Sequence, residues 1–235
     1  MAMTPACYIR PMRREDVPQV NQIDREAFPT QWPPPNYDRE LKDAISHHIV
    51  AGEETAIAPE TKPEETALAR LMRGLKRLLG GAHSDGNKPV APERVLGFAS
   101  LWMMADEAHL TIIAVRQNHQ RQGIGELLLV SVIELAAEIK ADYVTLEVRV
   151  SNTIALGLYK KYGFAEVGIR RSYYTDNRED ARIMSTESIK LPSFQERFRQ
   201  FKEAYLKRYG HRNDLERWNR NAFISAKPPS SAPSR

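Results

Sequence analysis

The sequence predicts an α/β fold, one mixed sheet flanked by helices. Short apolar stretches that read as strands alternate along the chain with stretches whose apolar residues recur at helical spacing. The 235 residues are 42% hydrophobic, enough to bury a core. The single cysteine, Cys7, allows no internal disulfide, and no apolar run reaches the roughly 20 residues that a membrane span needs. The opening Met1 to Tyr8 has no apolar signal core. A reduced, cytoplasmic location is therefore the expectation, and secreted, disulfide-bonded and membrane-spanning classes are set aside.

Taken in order, Tyr8-Ile9-Arg10 reads as a strand and Glu15 to Phe28 as a helix. Trp32-Pro33-Pro34-Pro35 forces a stiff loop, because proline fixes its own φ and restricts the residue before it. The pattern then predicts a helix over Tyr37 to Ser46 and a short strand over His47 to Ala51. Arg94 to Met104 and Ala108 to Val115 read as a strand hairpin, Gly125 to Lys140 as a helix and Tyr143 to Val150 as a strand. Asn152 to Tyr162 is a helix that Gly163 closes. Phe164 to Tyr173 and Ala181 to Ile189 complete the strands.

Two segments depart from this pattern. Between 52 and 92 the chain holds four prolines and a Gly-Gly-Ala-His-Ser-Asp-Gly stretch, which read as a largely flexible insertion. Inside it, Leu68, Leu71, Met72, Leu75, Leu78 and Leu79 fall at helical spacing among Arg70, Arg73, Lys76 and Arg77, a short basic amphipathic helix. From Lys190 onward 11 basic residues face 4 acidic ones, while the remaining 23 basic and 26 acidic residues leave the rest of the chain at −3. The domain expectation is thus a body over 5–190 and a basic C-terminal helix with a disordered tail over 191–235. The tail's Phe194, Phe198, Phe201 and Tyr205 dock as an aromatic stripe on the body, the reading favoured here, or its charge contacts ribosomal RNA or an acidic partner. No metal site is predicted, since the six histidines have no partners at ligand spacing.

The chemistry concentrates where an apolar strand runs through a polar turn with two glycines straight into an apolar helix, from Thr111 to Gly125. Backbone N–H groups at such a helix start are unpaired and carry partial positive charge, and glycine lets a ligand approach them. Gln120-Arg121-Gln122-Gly123-Ile124-Gly125 suits a diphosphate, but it is neither a Walker loop nor the dinucleotide fingerprint. In the strand that follows, Val144, Leu146, Val148 and Val150 share one face and Thr145, Glu147 and Arg149 the other. Asn152 and Tyr159 stand two helical turns apart on one face. Singly, these residues also fit a plain turn, a surface Glu147–Arg149 pair, an N-cap and a packing tyrosine.

Gln120 to Gly125 resembles the acetyl-CoA diphosphate loop of the GNAT N-acetyltransferase superfamily, patterned Q/R-x-x-G-x-G/A. The run Leu146-Glu147-Val148-Arg149, Ser151-Asn152, Ala155-Leu156-Gly157-Leu158-Tyr159 and Gly163-Phe164, continued by Arg170 to Tyr174 and Glu179-Asp180-Ala181, resembles the bacterial ribosomal-protein-alanine N-acetyltransferases. The resemblance implies the GNAT fold, a single mixed, mostly antiparallel sheet flanked by helices. It implies transfer of acetyl from acetyl-CoA to the N-terminal α-amine of a protein such as a ribosomal protein. It assigns Glu147 as general base, Tyr159 as general acid, Asn152 to the CoA arm, Ile113, Ala114 and Val115 to the acetyl-pantetheine and Gln120, Arg121, Gln122, Gly123, Ile124 and Gly125 to the diphosphate. Acetylation of a small amine and a non-catalytic acyl-CoA-binding module are the alternatives.

The acid–base arithmetic sets terms for the structure to meet. At neutral pH about a tenth of an α-amine is unprotonated, far more than of a lysine, which favours N-terminal acceptors. Glutamate lies about 3.7 pK units below a free α-ammonium, roughly 5 kcal/mol, so its task is to take a proton from the more acidic amine of the tetrahedral adduct. Tyr159 would donate toward the departing thiolate, about 2 kcal/mol uphill if the transfer were complete. Asp176, Glu179 and Asp180 stand as candidates to attract a cationic N-terminus.

Overall fold

The structure, a computed structural model, describes residues 7–30, 35–53 and 93–209. The predicted helix of 68–79, the Trp32-Pro33-Pro34 stretch and the chain beyond Tyr209 lie outside them. By its contacts the chain divides into residues 1–53 with 95–235, which carry the architecture below, and residues 54–94.

Strand β1 (Cys7–Pro11) leads through a short 3₁₀ turn into α1 (Val17–Ala27) and then α2 (Tyr37–Glu40). Then come β2 (Ser46–Glu53), β3 (Arg94–Met104), β4 (Glu107–Val115), α3 (Ile124–Glu138), β5 (Tyr143–Arg149), α4 (Thr153–Lys161), β6 (Ala165–Tyr174), β7 (Glu179–Ser185) and α5 (Pro192–Tyr209). The seven strands form one sheet in the order β1-β2-β3-β4-β5-β7-β6. Parallel pairing joins β4 to β5, whereas β1–β2, β3–β4, β5–β7 and β6–β7 are antiparallel. The expected mixed sheet is present.

Each face of the sheet has its own apolar layer. One is α1 and Tyr37, whose Val17, Val20 and Ile23 pack with Val50, Val95, Phe98 and Ala114. The other is α3, α4 and α5, which meet Ile49, Leu96, Leu101, Leu110, Val144, Leu146 and Val148. Cys7 is buried in this second layer.

The helix predicted over Tyr37 to Ser46 is the main correction, since α2 ends at Glu40. Asn36 caps its start by accepting from the Arg39 N–H. Past Leu41 the bonds tighten to Lys42 N–H on Arg39 and Asp43 N–H on Glu40, and the Asp43 carboxylate then takes the Ile45 N–H. The Ile45 carbonyl accepts from the Met103 N–H, so the sheet claims backbone that apolar spacing alone gave to a helix.

The C-terminal helix docks as favoured. Phe194, Phe198 and Tyr205 are buried in the larger core, at helical spacing along α5. Three of its basic residues are paired, Arg197 with Glu187, Lys202 with Glu134 and Arg199 with Glu196 and Glu203.

Candidate active site

The site begins with a fault in a strand. Along β3–β4 the register slips between Ser100 and Leu101: Ser100 faces Ile112 and Leu101 faces Leu110, so Thr111 is the extra residue of a bulge. The Thr111 hydroxyl donates to the Ser100 carbonyl at 3.0 Å. The bulge reverses the faces of β4. Ala108 and Leu110 belong to the layer of α3, but Ala114, of the same parity, belongs to the layer of α1, with Ile112 packed against it. It also bends β4 away from β5, whose pairing ends at Leu110–Leu146.

Where the strands part, a cavity of about 210 Å³ opens between Leu110 to Ile113 and Leu146 to Arg149. Because the gap passes through the sheet, side chains from both faces reach it. Glu147 arrives from the face of β5 opposite Leu146 and Val148, and Tyr159 arrives from α4 on the other side. Asn152, Phe28, Tyr173 and Tyr174 complete the lining.

Glu147 is nearly buried, with 7% of its side chain exposed, and it sits between His109 and Arg170. One oxygen faces His109 Nε2 at 3.0 Å and the other faces Arg170 Nη2 at 3.1 Å. The hydrogen bond with His109 first, and Arg170 further out, hold the carboxyl below the usual glutamate range against the opposing effect of burial. The same bond raises the His109 pKa. The imidazole is oriented from behind: the Thr145 hydroxyl donates to Glu107, so its oxygen accepts from His109 Nδ1 at 2.8 Å. Nε2, beside Glu147, is therefore the nitrogen that gains or loses the proton.

Sequence reasoning missed His109. Alternation puts it on the polar face of β4, but only the parallel register setting His109 opposite Thr145 brings it to Glu147. Arg149, read from the sequence as a candidate surface partner of Glu147, is engaged elsewhere. Its guanidinium makes two bonds to Asp176, at 2.9 and 2.8 Å, one to Glu179 at 3.1 Å and one to Asn177, and lies 3.8 Å from the centre of the Tyr174 ring.

Tyr159 is 5% exposed and packs on Phe164. Burial pushes its phenol pKa well above the usual value. Asn152 caps α4, its side-chain oxygen accepting from the Ala155 N–H at 3.1 Å, so the plain N-cap reading holds while the residue also lines the cavity. Of the remaining candidates Ile113 lines the cavity too, whereas Ala114 and Val115 do not. Gln120 to Gly125 lie apart from it, forming the entry to α3. Arg121 and Gly123 have φ of +61° and +84°, and α3 starts at Gly123 with no capping side chain. Ile124 is buried, so only its backbone is available to a ligand. The Gln120 side chain bonds the Val115 carbonyl and that of Gln122 the Asn118 carbonyl, tying the loop back on itself.

On the far rim, the Thr30 hydroxyl donates to Asp176 at 2.9 Å and joins the segment after α1 to the β6–β7 turn. Glu179 also accepts the Ser151 N–H, and Asp180 pairs with Arg171 and accepts the Ser172 N–H. The expectation that these acids wait for a cationic N-terminus is corrected: arginines and backbone amides already hold Asp176, Glu179 and Asp180.

A carboxylate and a phenol line one cavity where two parallel strands part, a lining suited to acid–base chemistry. The chain belongs to the acetyltransferase (GNAT) family, whose model matches residues 17–164. It is 33% identical over 177 residues to the candidate ribosomal-protein-bS18-alanine N-acetyltransferase of Bacillus subtilis (strain 168), an alignment spanning 75% of this chain and 92% of that one. With the ribosomal-protein-bS18-alanine N-acetyltransferase of Escherichia coli (strain K12) it shares 45% identity over 94 residues, 39% of this chain and 64% of the other. The crystal structure of the Escherichia coli ribosomal-protein-S18-alanine N-acetyltransferase superposes with a TM-score of 0.55 at 27% identity, covering 77% of this chain and 94% of that one. The chain is an N-acetyltransferase.

Proposed function

We propose that the chain transfers the acetyl group of acetyl-CoA to the α-amine of a protein N-terminus in the cytoplasm, with a ribosomal protein as acceptor. The placement of Glu147 and Tyr159 on one cavity, from opposite faces of the sheet, supports this reading most directly. The names of the relatives support the acceptor class. In this reading the thioester end of acetyl-CoA lies between the parted strands beside Ile113 and Asn152, and its diphosphate meets the N–H groups of Gln120 to Gly125.

The amine nitrogen attacks the thioester carbonyl carbon, and the proton it loses goes to the Glu147 carboxylate. Glu147 alone is a weak base, and Arg170 and, when protonated, His109 weaken it further. Neutral His109 makes up the difference, since its Nε2 adjoins Glu147 and its raised pKa lies nearer that of the amine. When the adduct collapses the C–S bond breaks and the electron pair stays on sulfur. With its pKa raised by burial, Tyr159 acts as a neutral hydrogen-bond donor to the developing thiolate, and not as an acid that gives up its proton outright.

Incubation with acetyl-CoA and a panel of peptides, read by mass spectrometry, tests the proposal. Acetyl should appear on the N-terminal nitrogen of peptides and not on lysine side chains or polyamines. Tyr159→Phe should cut turnover at least about tenfold with acetyl-CoA affinity unchanged, the mark of an interaction made in the transition state. Acetylation confined to small amines, or equal loss of affinity and turnover in the variant, would count against it.

A further inference from the structure

We propose that the C-terminal helix is part of the acetyl-CoA site, with the ring of Tyr209 as the positioning residue that holds the Gln120–Gly125 loop in its ligand-binding shape. The inference rests on the acetyl-CoA reading above and adds to it a segment that the family model, ending at residue 164, does not include.

The loop turns through two left-handed residues, Arg121 and Gly123, and arginine adopts that conformation only when its surroundings impose it. No side chain caps α3 at Gly123. What closes on this glycine is Tyr209: a Cβ built there would lie 2.7 to 2.9 Å from the Cζ, Cε1 and Cε2 atoms of the ring. Glycine is thus required twice over, by its φ and by the ring.

The ring is itself held. Its centroid is 4.8 Å from that of Tyr205, which is 2% exposed, and the Arg208 guanidinium lies 5.3 Å from its centre. Near the other end of α5, Phe194 covers Gly163 in the same way, 3.3 Å from a Cβ built there. These are the two positive-φ glycines among the described residues, one entering α3 and one leaving α4. A single helix therefore braces both turns.

Calorimetric titration of the full chain with acetyl-CoA, alongside steady-state kinetics, tests this. Tyr209→Ala should raise both the Kd and the KM for acetyl-CoA about tenfold, because a displaced loop loses aligned N–H donors. The kcat at saturation and the KM for the acceptor should stay as they are. Tyr209→Phe, which keeps the ring, should recover most of the affinity that Tyr209→Ala loses. A purely structural role predicts instead a lower melting temperature or a smaller active fraction with Kd unchanged. That result overturns the proposal, as does a rise in both Michaelis constants together. An unaltered chain that takes up no acetyl-CoA removes the underlying reading, and the first titration reveals this before any variant is compared.

Discussion

Glu147 shows how much of a residue's behaviour lies in its neighbours. Period-two alternation in β5 places it opposite the valines, and the structure agrees, but the sequence does not reveal which groups it meets across the sheet. His109 is 38 positions away, and only the β4–β5 register joins them. The pair fixes a pH dependence. Proton transfer toward Nε2 requires neutral His109, and the His109 pKa lies above its ordinary 6.5, so activity should fall as pH drops through that raised value. The acceptor amine must also be unprotonated, so log kcat/KM should approach a slope of about two on the acid side. In His109→Gln the slope should relax to about one, and in Glu147→Gln turnover should drop by about 10² to 10⁴ at every pH. A pH–rate profile of His109→Gln that overlays the unaltered enzyme would remove the relay. Stability runs by the same signs. The raised His109 pKa stabilises the fold below 6.5 and stops doing so as pH rises through its folded value, whereas the lowered Glu147 pKa stabilises above 4.5 and fails as pH falls through its own.

At the scale of elements, the strand most informative in sequence, β4, was also the one whose pattern misled. Alternation over Ala108 to Val115 suggests a regular strand, yet the bulge at Thr111 swaps its faces and parts it from β5. A bulge leaves no local sequence mark here, because it is set by pairing with β3. The same holds for α2, cut short when Ile45 joins the sheet. The β6–β7 hairpin offers a third case. Its acids look like a cation trap, but Arg149 at the end of β5 gathers Asp176, Glu179 and the face of Tyr174, and Asp176 extends the link to Thr30. This clasp joins two of the segments that line the cavity through Phe28, Tyr173 and Tyr174. One planar guanidinium reaches Asp176 through Nη2 and Glu179 through Nη1 while it lies over the Tyr174 ring, so Lys is no substitute. Arg149→Lys and Asp176→Asn should each raise the KM for the acceptor peptide about tenfold while leaving that for acetyl-CoA alone, measured with each substrate varied in turn. Parallel changes in both constants would show that the clasp is not confined to the acceptor side.

At the scale of the whole molecule, the composition shift at Lys190 falls just before α5, a helix whose aromatic face packs into the larger core. The sequence of α5 favours an aromatic stripe docked on the body over a charged face that contacts RNA or an acidic partner. Phe194, Phe198 and Tyr205 are buried at that spacing, and Arg197 and Lys202 on the same helix pair with Glu187 and Glu134. Helix α5 therefore belongs to the core at one end and, through Tyr209, to the candidate acetyl-CoA loop at the other. The two ends should separate on mutation. Phe194 is 2% exposed and packs on Phe198 and Gly163, so Phe194→Ala should cost about 3 to 5 kcal/mol in stability. At about 2 to 4 °C per kcal/mol for a chain of this size, the thermal midpoint should fall by roughly 6 to 20 °C in a circular-dichroism melt. Because Gly163 is remote from the diphosphate loop in function, the KM for acetyl-CoA at 25 °C should not move, the reverse of the pattern expected for Tyr209→Ala. A Phe194→Ala enzyme with unchanged melting but weakened acetyl-CoA binding would mean that α5 answers to the ligand along its whole length and not to the core.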